Sequence, residues 1–204
     1  MKRLLFATRN GGKLRELAEL VAPLGIAVVS IAELERSGLA IPEVEEDAPS
    51  FAGNAEKKAR SALAATGLAA LADDSGLEVD ALGGAPGVYS ARYAGLDHDD
   101  GANNAKLLAA LVAVFDPDRT ARFRCALALA VPGGELVTAE GSCEGRIARV
   151  ARGAGGFGYD PLFLVGAGDR TMAELAPEEK NRISHRGQAM RALALALASR
   201  PTLL

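Results

Sequence analysis

The chain has 204 residues, 49% of them hydrophobic and 24% charged, with a net charge of −3. These values describe one globular domain long enough to bury its own core, and they argue against disorder and against a nucleic acid polymer as partner, which needs a broad basic face. Cys125 and Cys143 make neither a disulfide framework nor a zinc-ligand spacing and read as small buried hydrophobes, in a core expected to be Ala, Leu and Val because aromatics are only 4%.

The basic start Met1-Lys2-Arg3 precedes an apolar stretch, residues 4–7, too short for the hydrophobic region of a signal peptide. Residues 192–198 are too short to cross a bilayer, so the expected location is cytoplasmic, without a membrane partner. Residues 4–7 read as a strand and residues 14–24 as a helix, with Leu14, Leu17, Ala18, Val21 and Leu24 at helical spacing. Between them, Thr8-Arg9-Asn10-Gly11-Gly12-Lys13 lacks the P-loop spacing. Such a glycine-rich turn with a lysine either offers backbone N–H groups and a cation to an anion or serves only as a structural turn. Residues 26–31 read as a second strand. The acidic run Pro42-Glu43-Val44-Glu45-Glu46-Asp47-Ala48-Pro49 is a solvated loop or the source of a metal-binding carboxylate. Ser50 suits a helix cap, and the helix it starts brings Asn54, Lys57 and Lys58 within one turn of each other, enough to aim an amide and an ammonium at one point.

Leu68-Ala69-Ala70-Leu71-Ala72 followed by Asp73-Asp74-Ser75-Gly76 reads as a buried strand delivering two carboxylates to its C-terminal edge, where α/β sheets bind ligands. A solvated turn is the other reading. Adjacent carboxylates repel, and a proton, a cationic side chain or a divalent metal relieves them. Gly83-Gly84-Ala85-Pro86-Gly87 forms a rigid turn ahead of Tyr89, Arg92 and Tyr93, a segment suited to binding or to a subunit contact. Residues 103–115 read as a helix on Leu107, Leu108, Leu111, Val112 and Phe115. Residues 121–131 and 135–143 read as a hairpin through Pro132-Gly133-Gly134, with 126–131 central, and 140–147 as another, edge element. In Gly155-Gly156-Phe157-Gly158-Tyr159-Asp160-Pro161 the phenylalanine either packs in a core or stands open as a stacking face for a flat ring. Thr171 caps a turn through 173–175, Pro177 opens another, and residues 184–189 lead into a last Ala/Leu-rich helix ending near Ser199.

Together these stretches hold the parts of a nucleoside triphosphate site: Lys13 and loop amides for phosphate, Asp74 with an acidic partner for a divalent ion, Phe157 for a base, and Arg186 as a planar donor fork. With Ser50-Phe51-Ala52-Gly53-Asn54-Ala55, Gly84-Ala85-Pro86-Gly87-Val88-Tyr89-Ser90-Ala91-Arg92-Tyr93 and Ser184-His185-Arg186-Gly187, they run in order over nearly the whole chain, which resembles the inosine triphosphate pyrophosphatase family.

The resemblance implies Mg²⁺-dependent hydrolysis of the non-standard purine nucleotides ITP, dITP and XTP to the monophosphate and pyrophosphate. It implies that Thr8, Arg9, Asn10, Gly11, Gly12 and Lys13 bind the triphosphate, with Lys13 also stabilising the departing pyrophosphate. Asp74 would hold metal and accept the proton of the attacking water, Glu46 rather than Glu45 would be the second metal ligand, and Asp73 would support them or make an additional metal contact. Ser75 would contact the nucleotide, while Phe157, Gly158, Tyr159, Asp160, Lys180, His185 and Arg186 would surround base and sugar. Arg9 stands where relatives often have a small residue and either adds a phosphate contact or points to solvent, and Tyr159 stands where some have Trp. The implied fold is α/β, a long mixed twisted sheet with flanking helices, in a single domain over residues 1–204 with two lobes around a nucleotide cleft, forming a homodimer. A pyrophosphatase of broader or pyrimidine specificity and a nucleotide-sensing module without hydrolysis are the alternatives.

Overall fold

In the computed structural model, which describes residues 3–22, 26–95 and 98–200, the apolar residues Leu4, Leu5 and Phe6 lie buried in strand β1 (Arg3–Phe6). Helix α1 (Gly11–Val21) begins at Gly11 rather than Leu14, because the Asn10 side chain accepts from Lys13 N at 3.0 Å and caps the helix there. Leu24, expected in this helix, lies outside the described residues. Strand β2 (Ala27–Ser30) pairs parallel with β1. It is followed by α2 (Ile31–Arg36), which apolar spacing did not indicate but the Ser30/Glu33 capping box explains. Helix α3 (Phe51–Thr66) starts on Ser50, whose hydroxyl accepts from Gly53 N, and stops at Gly67 in the left-handed conformation.

Strand β3 (Ala70–Val79) does not end at the acidic pair. It runs through it, because Leu77 and Val79 beyond the acids are themselves buried in a core. The pairing with β1 stops much earlier, at Leu5↔Ala70 and Phe6↔Leu71, so Asp73 and Asp74 are mid-strand residues lying past the C-terminal end of the parallel neighbour.

Helix α4 (Asp100–Ala110) begins on Asp99 and ends sooner than its leucine pattern indicates. The buried Arg119 draws the Leu111 carbonyl into its own hydrogen bond at 2.7 Å, and Val112 and Phe115 are left exposed. Strands β4 (Thr120–Ala130) and β5 (Leu136–Ile147) are neighbours joined by the expected tight turn, with Val131 N donating to Glu135 O at 3.1 Å. A connection this short joins strands only antiparallel. Residues 140–147 are not a separate edge element but the continuation of β5, whose end pairs antiparallel with β6 (Phe163–Val165). Helices α5 (Pro177–Ile183) and α6 (His185–Ala198) complete the chain.

Among the described residues the sheet has six strands in the order β2-β1-β3-β4-β5-β6 and mixes parallel and antiparallel pairs, the expected α/β architecture with flanking helices. Two compact units share the chain: Met1–Asp74 with Cys125–Gly141 and Gly187–Leu204, and Ser75–Arg124 with Ser142–Arg186. The first is built on two apolar clusters, one around Phe6, Leu17, Leu71 and Leu127 and one around Leu5, Val29, Ala55, Ala59 and Ala72. The second is built around Leu77, Leu107, Phe123, Tyr159 and Phe163. Among the described residues no helix is long and apolar enough to cross a membrane.

Candidate functional site

In the first unit, both carboxylates of β3 are buried, and a carboxylate removed from water needs hydrogen-bond donors. For Asp74 they come from one face of α3. Asn54 and Lys58 are one turn apart, with Lys58 Nζ 2.9 Å from Oδ1 and Asn54 Nδ2 3.2 Å from Oδ2. The Asn54 amide is oriented by its oxygen, which accepts from Ala48 N at 2.9 Å. Lys58 Nζ also lies 2.7 Å from Glu46 Oε1, so the Asp74 and Glu46 carboxylates share one ammonium. Lys57, the other lysine expected near this point, turns instead to the Asp47 carboxylate and to the Glu45 carbonyl.

Burial pushes the Asp74 carboxyl above the usual carboxylate range, while Lys58 and Lys13 pull it back down. Burial alone would lower the Lys58 ammonium, but Asp74 and Glu46 outweigh it and hold that group above its ordinary value. Lys58 therefore stays charged.

Asp73 is fully enclosed, with Lys13 Nζ donating to Oδ1 and Cys125 Sγ 3.0 Å from Oδ2. Cys125 is thus more than a small hydrophobe: its thiol faces a carboxylate. Lys13 belongs to the first turn of α1, where helix N–H groups such as those of Gly11 and Gly12 have no intrahelical partner. Thr8 braces this entry by accepting from Asn10 N at 3.1 Å. Arg9 is drawn away to the Glu35 carboxylate at 2.6 Å and the Ile41 carbonyl at 3.1 Å.

Among the described residues, no group of three or more His, Cys, Asp or Glu side chains gathers as a ready-made metal cage. The Asp74 and Glu46 pair nevertheless fits magnesium, which takes oxygen ligands and is commonly held by one or two carboxylates, with substrate phosphates and water completing the shell.

In the second unit, Asp160 organises the glycine-rich loop. Its Oδ2 accepts from Phe157 N at 2.9 Å and from Lys180 Nζ at 2.6 Å. Gly156 has φ +74°, and a Cβ there would overlap that same carboxylate. The half-buried Phe157 ring has Lys180 Nζ 5.1 Å and Arg186 Cζ 5.8 Å from its centroid, both within cation–π range. The buried Arg186 donates to Ser75 Oγ at 2.9 Å. Gly158 is bound on both sides by α4, as its N–H donates to Asp100 and its carbonyl accepts from Asn104.

Tyr159 and His185 do not present open faces. Tyr159 is buried, with its hydroxyl donating to Ser90 O at 2.8 Å, and burial raises its pKa well above the ordinary tyrosine value. The His185 ring stacks on Phe123 with centroids 4.8 Å apart. Sequence reasoning did not single out Cys125, Asp100 or Asn104 for this site. For the last two the i, i+4 spacing was available, but nothing local pointed to a glycine far along the chain.

Residues 4–196 match the Ham1 family. A Desulforamulus reducens protein named dITP/XTP pyrophosphatase is 60% identical over 189 residues, covering 93% of this chain and 92% of that one. A protein of the same name from Thioalkalivibrio sulfidiphilus is 54% identical, covering 97% of this chain and all (100%) of its own. Among solved structures, a HAM1 protein from Coxiella burnetii superimposes with a TM-score of 0.85 at 45% identity, covering 98% of this chain and 100% of its own. The fold, the ordered motifs and these matches make one statement: the chain belongs to the Ham1 family.

Proposed function

We propose that this protein hydrolyses the non-standard purine nucleoside triphosphates ITP, dITP and XTP to the monophosphate and pyrophosphate with Mg²⁺. The observation that carries this reading is the convergence of the Asp74 and Glu46 carboxylates on a single cation, Lys58, in a chain 60% identical to a dITP/XTP pyrophosphatase.

Asp74 and Glu46 would hold magnesium, which when bound neutralises charge on the phosphate oxygens. The Asp74 carboxyl, raised by burial, is a stronger base toward the attacking water than an exposed aspartate. The amides of Gly11 and Gly12, with Thr8 and Asn10 shaping the turn, suit the triphosphate chain. Lys13, tethered to Asp73, suits the charge that builds on the departing pyrophosphate. Arg9, engaged with Glu35, is left outside this set.

On the base side, Phe157 offers the stacking face, and Arg186 and Lys180 offer only N–H donors. Hypoxanthine and xanthine carry a carbonyl at position 6, whereas adenine carries an amino group that would set donor against donor and leave polar groups unpaired. Ser75 and Asp160 hold Arg186, Lys180 and the Phe157 backbone in place, while Tyr159 and His185 are engaged with Ser90 and Phe123. We also propose a cytoplasmic homodimer whose contact includes the exposed Tyr89; sedimentation as a monomer at micromolar concentration would count against it.

The deciding assay is release of pyrophosphate from ITP, XTP, ATP and GTP, each with and without Mg²⁺. Release from ITP and XTP in the presence of Mg²⁺, with little from ATP, is expected. Binding of ITP without turnover would overturn the reading in favour of a sensing module, and preference for a pyrimidine triphosphate in a widened panel would overturn the substrate assignment.

A further inference from the structure

One helix grips the backbone of Gly158 on both sides. The Gly158 N–H donates to Asp100 Oδ2 at 2.7 Å, and its carbonyl accepts from Asn104 Nδ2 at 2.9 Å. Both side chains come from α4 at i, i+4 spacing and so share a face. Neither is needed to start the helix, because Asp99 is the cap and accepts from Ala102 N. Asn104 is not explained by stability either. Its Oδ1 is buried with no hydrogen-bond partner among the described residues, a condition that destabilises a fold. What the amide achieves is the bond from Nδ2 to Gly158, the residue next to Phe157.

Phe157 is thereby tied from both directions along the chain. Its own N–H is held by Asp160, and the following residue, at a φ of +62° that favours glycine, is held by α4. We propose that Asp100 and Asn104 are positioning residues that fix the Phe157 ring for the purine base, and so govern affinity for the base without taking part in phosphate chemistry. The inference rests on the reading of Phe157 as the stacking face.

The test uses the full-length protein with the substitutions Asp100→Ala and Asn104→Leu; Asp100 is exposed, so its variant has no core to disturb. Steady-state ITP hydrolysis is measured together with product inhibition by inosine monophosphate and, separately, by pyrophosphate. In both variants KM for ITP and the inhibition constant for the monophosphate should rise by up to about tenfold, the scale of one lost hydrogen bond, with kcat and pyrophosphate inhibition little changed. Asp100→Asn keeps an acceptor oxygen and should recover most of the loss. In a Phe157→Leu background, Asp100→Ala should add less than about twofold, because its effect passes through that ring.

Equal weakening of pyrophosphate inhibition, or full additivity in the Phe157→Leu background, overturns the inference. If Phe157→Leu alone leaves monophosphate inhibition intact, the stacking reading falls and takes the inference with it. If Phe157→Leu weakens that inhibition while Asp100→Ala and Asn104→Leu do not, the inference alone is lost.

Discussion

Asp74 is a buried acid whose ionised form the fold disfavours and whose neighbours partly rescue it. Its native proton affinity is raised, so its contribution to stability is present below the ordinary carboxylate pKa of 3.8 and is lost as pH rises through the raised native value. At neutral pH, in metal-free protein, the ionised group is therefore a burden on the fold. Asp74→Asn should lower pyrophosphate release from ITP by about a thousandfold. In chelator it should unfold at the same temperature as the parent or higher, and a fall of several degrees would contradict this account. Mg²⁺ should raise the thermal midpoint of the parent and not of the variant. Lys58 is the counterpart: Lys58→Met leaves Asp74 and Glu46 without their shared cation. It should cost about 3 kcal/mol in urea unfolding, the low end for a broken buried pair because Glu46 is partly open to water.

At the scale of elements, α3 and the glycine-rich loop each depend on one small residue. Ser50→Ala removes the cap of the helix that carries Asn54 and Lys58 and should cost about 1 kcal/mol, read by chemical denaturation. Gly156→Ala is a different kind of lesion. The new methyl would displace the Asp160 carboxylate, and with it the anchor of Phe157 N and Lys180. Inhibition by inosine monophosphate should weaken at least tenfold, about the effect of one charged hydrogen bond lost, while pyrophosphate inhibition persists. The start of α3 was legible from Ser50, and that of α5 from Pro177, because caps and breakers act on adjacent residues. The extent of β3 was not, since Asp-Asp-Ser-Gly has the composition of a turn and only the burial of Leu77 and Val79 keeps the strand going.

For the whole molecule, the boundaries between the two units fall inside β3, β4, β5 and α6, and neither unit is a continuous piece of chain. Unfolding should accordingly be a single cooperative transition by calorimetry, and two resolved heat-absorption peaks would refute that. Stability should also fall on the alkaline side. Burial, reinforced by Glu144 and Asp160, pushes the Cys143 thiol up to about 11 from an ordinary 9.0. The native state holds that proton more tightly than the unfolded chain, so the contribution is complete below pH 9.0 and is lost as pH rises toward 11. Cys143→Ala should flatten the decline in stability across that window.

The sequence by itself determined the family, the α/β class and the starts of α3 and α5, because caps, apolar periods and ordered motifs are written in neighbouring positions. Tertiary structure alone decided that Lys58 rather than Lys57 reaches Asp74 and that Glu46 shares it. It also decided that Asp73 lies between Lys13 and Cys125, that Tyr159 and His185 face the core, and that α4 holds Gly158. The physical reason is the same in each case. Periodicity tells which face of an element a residue occupies, but which partner stands opposite that face is set by how distant segments pack, and no local pattern encodes it.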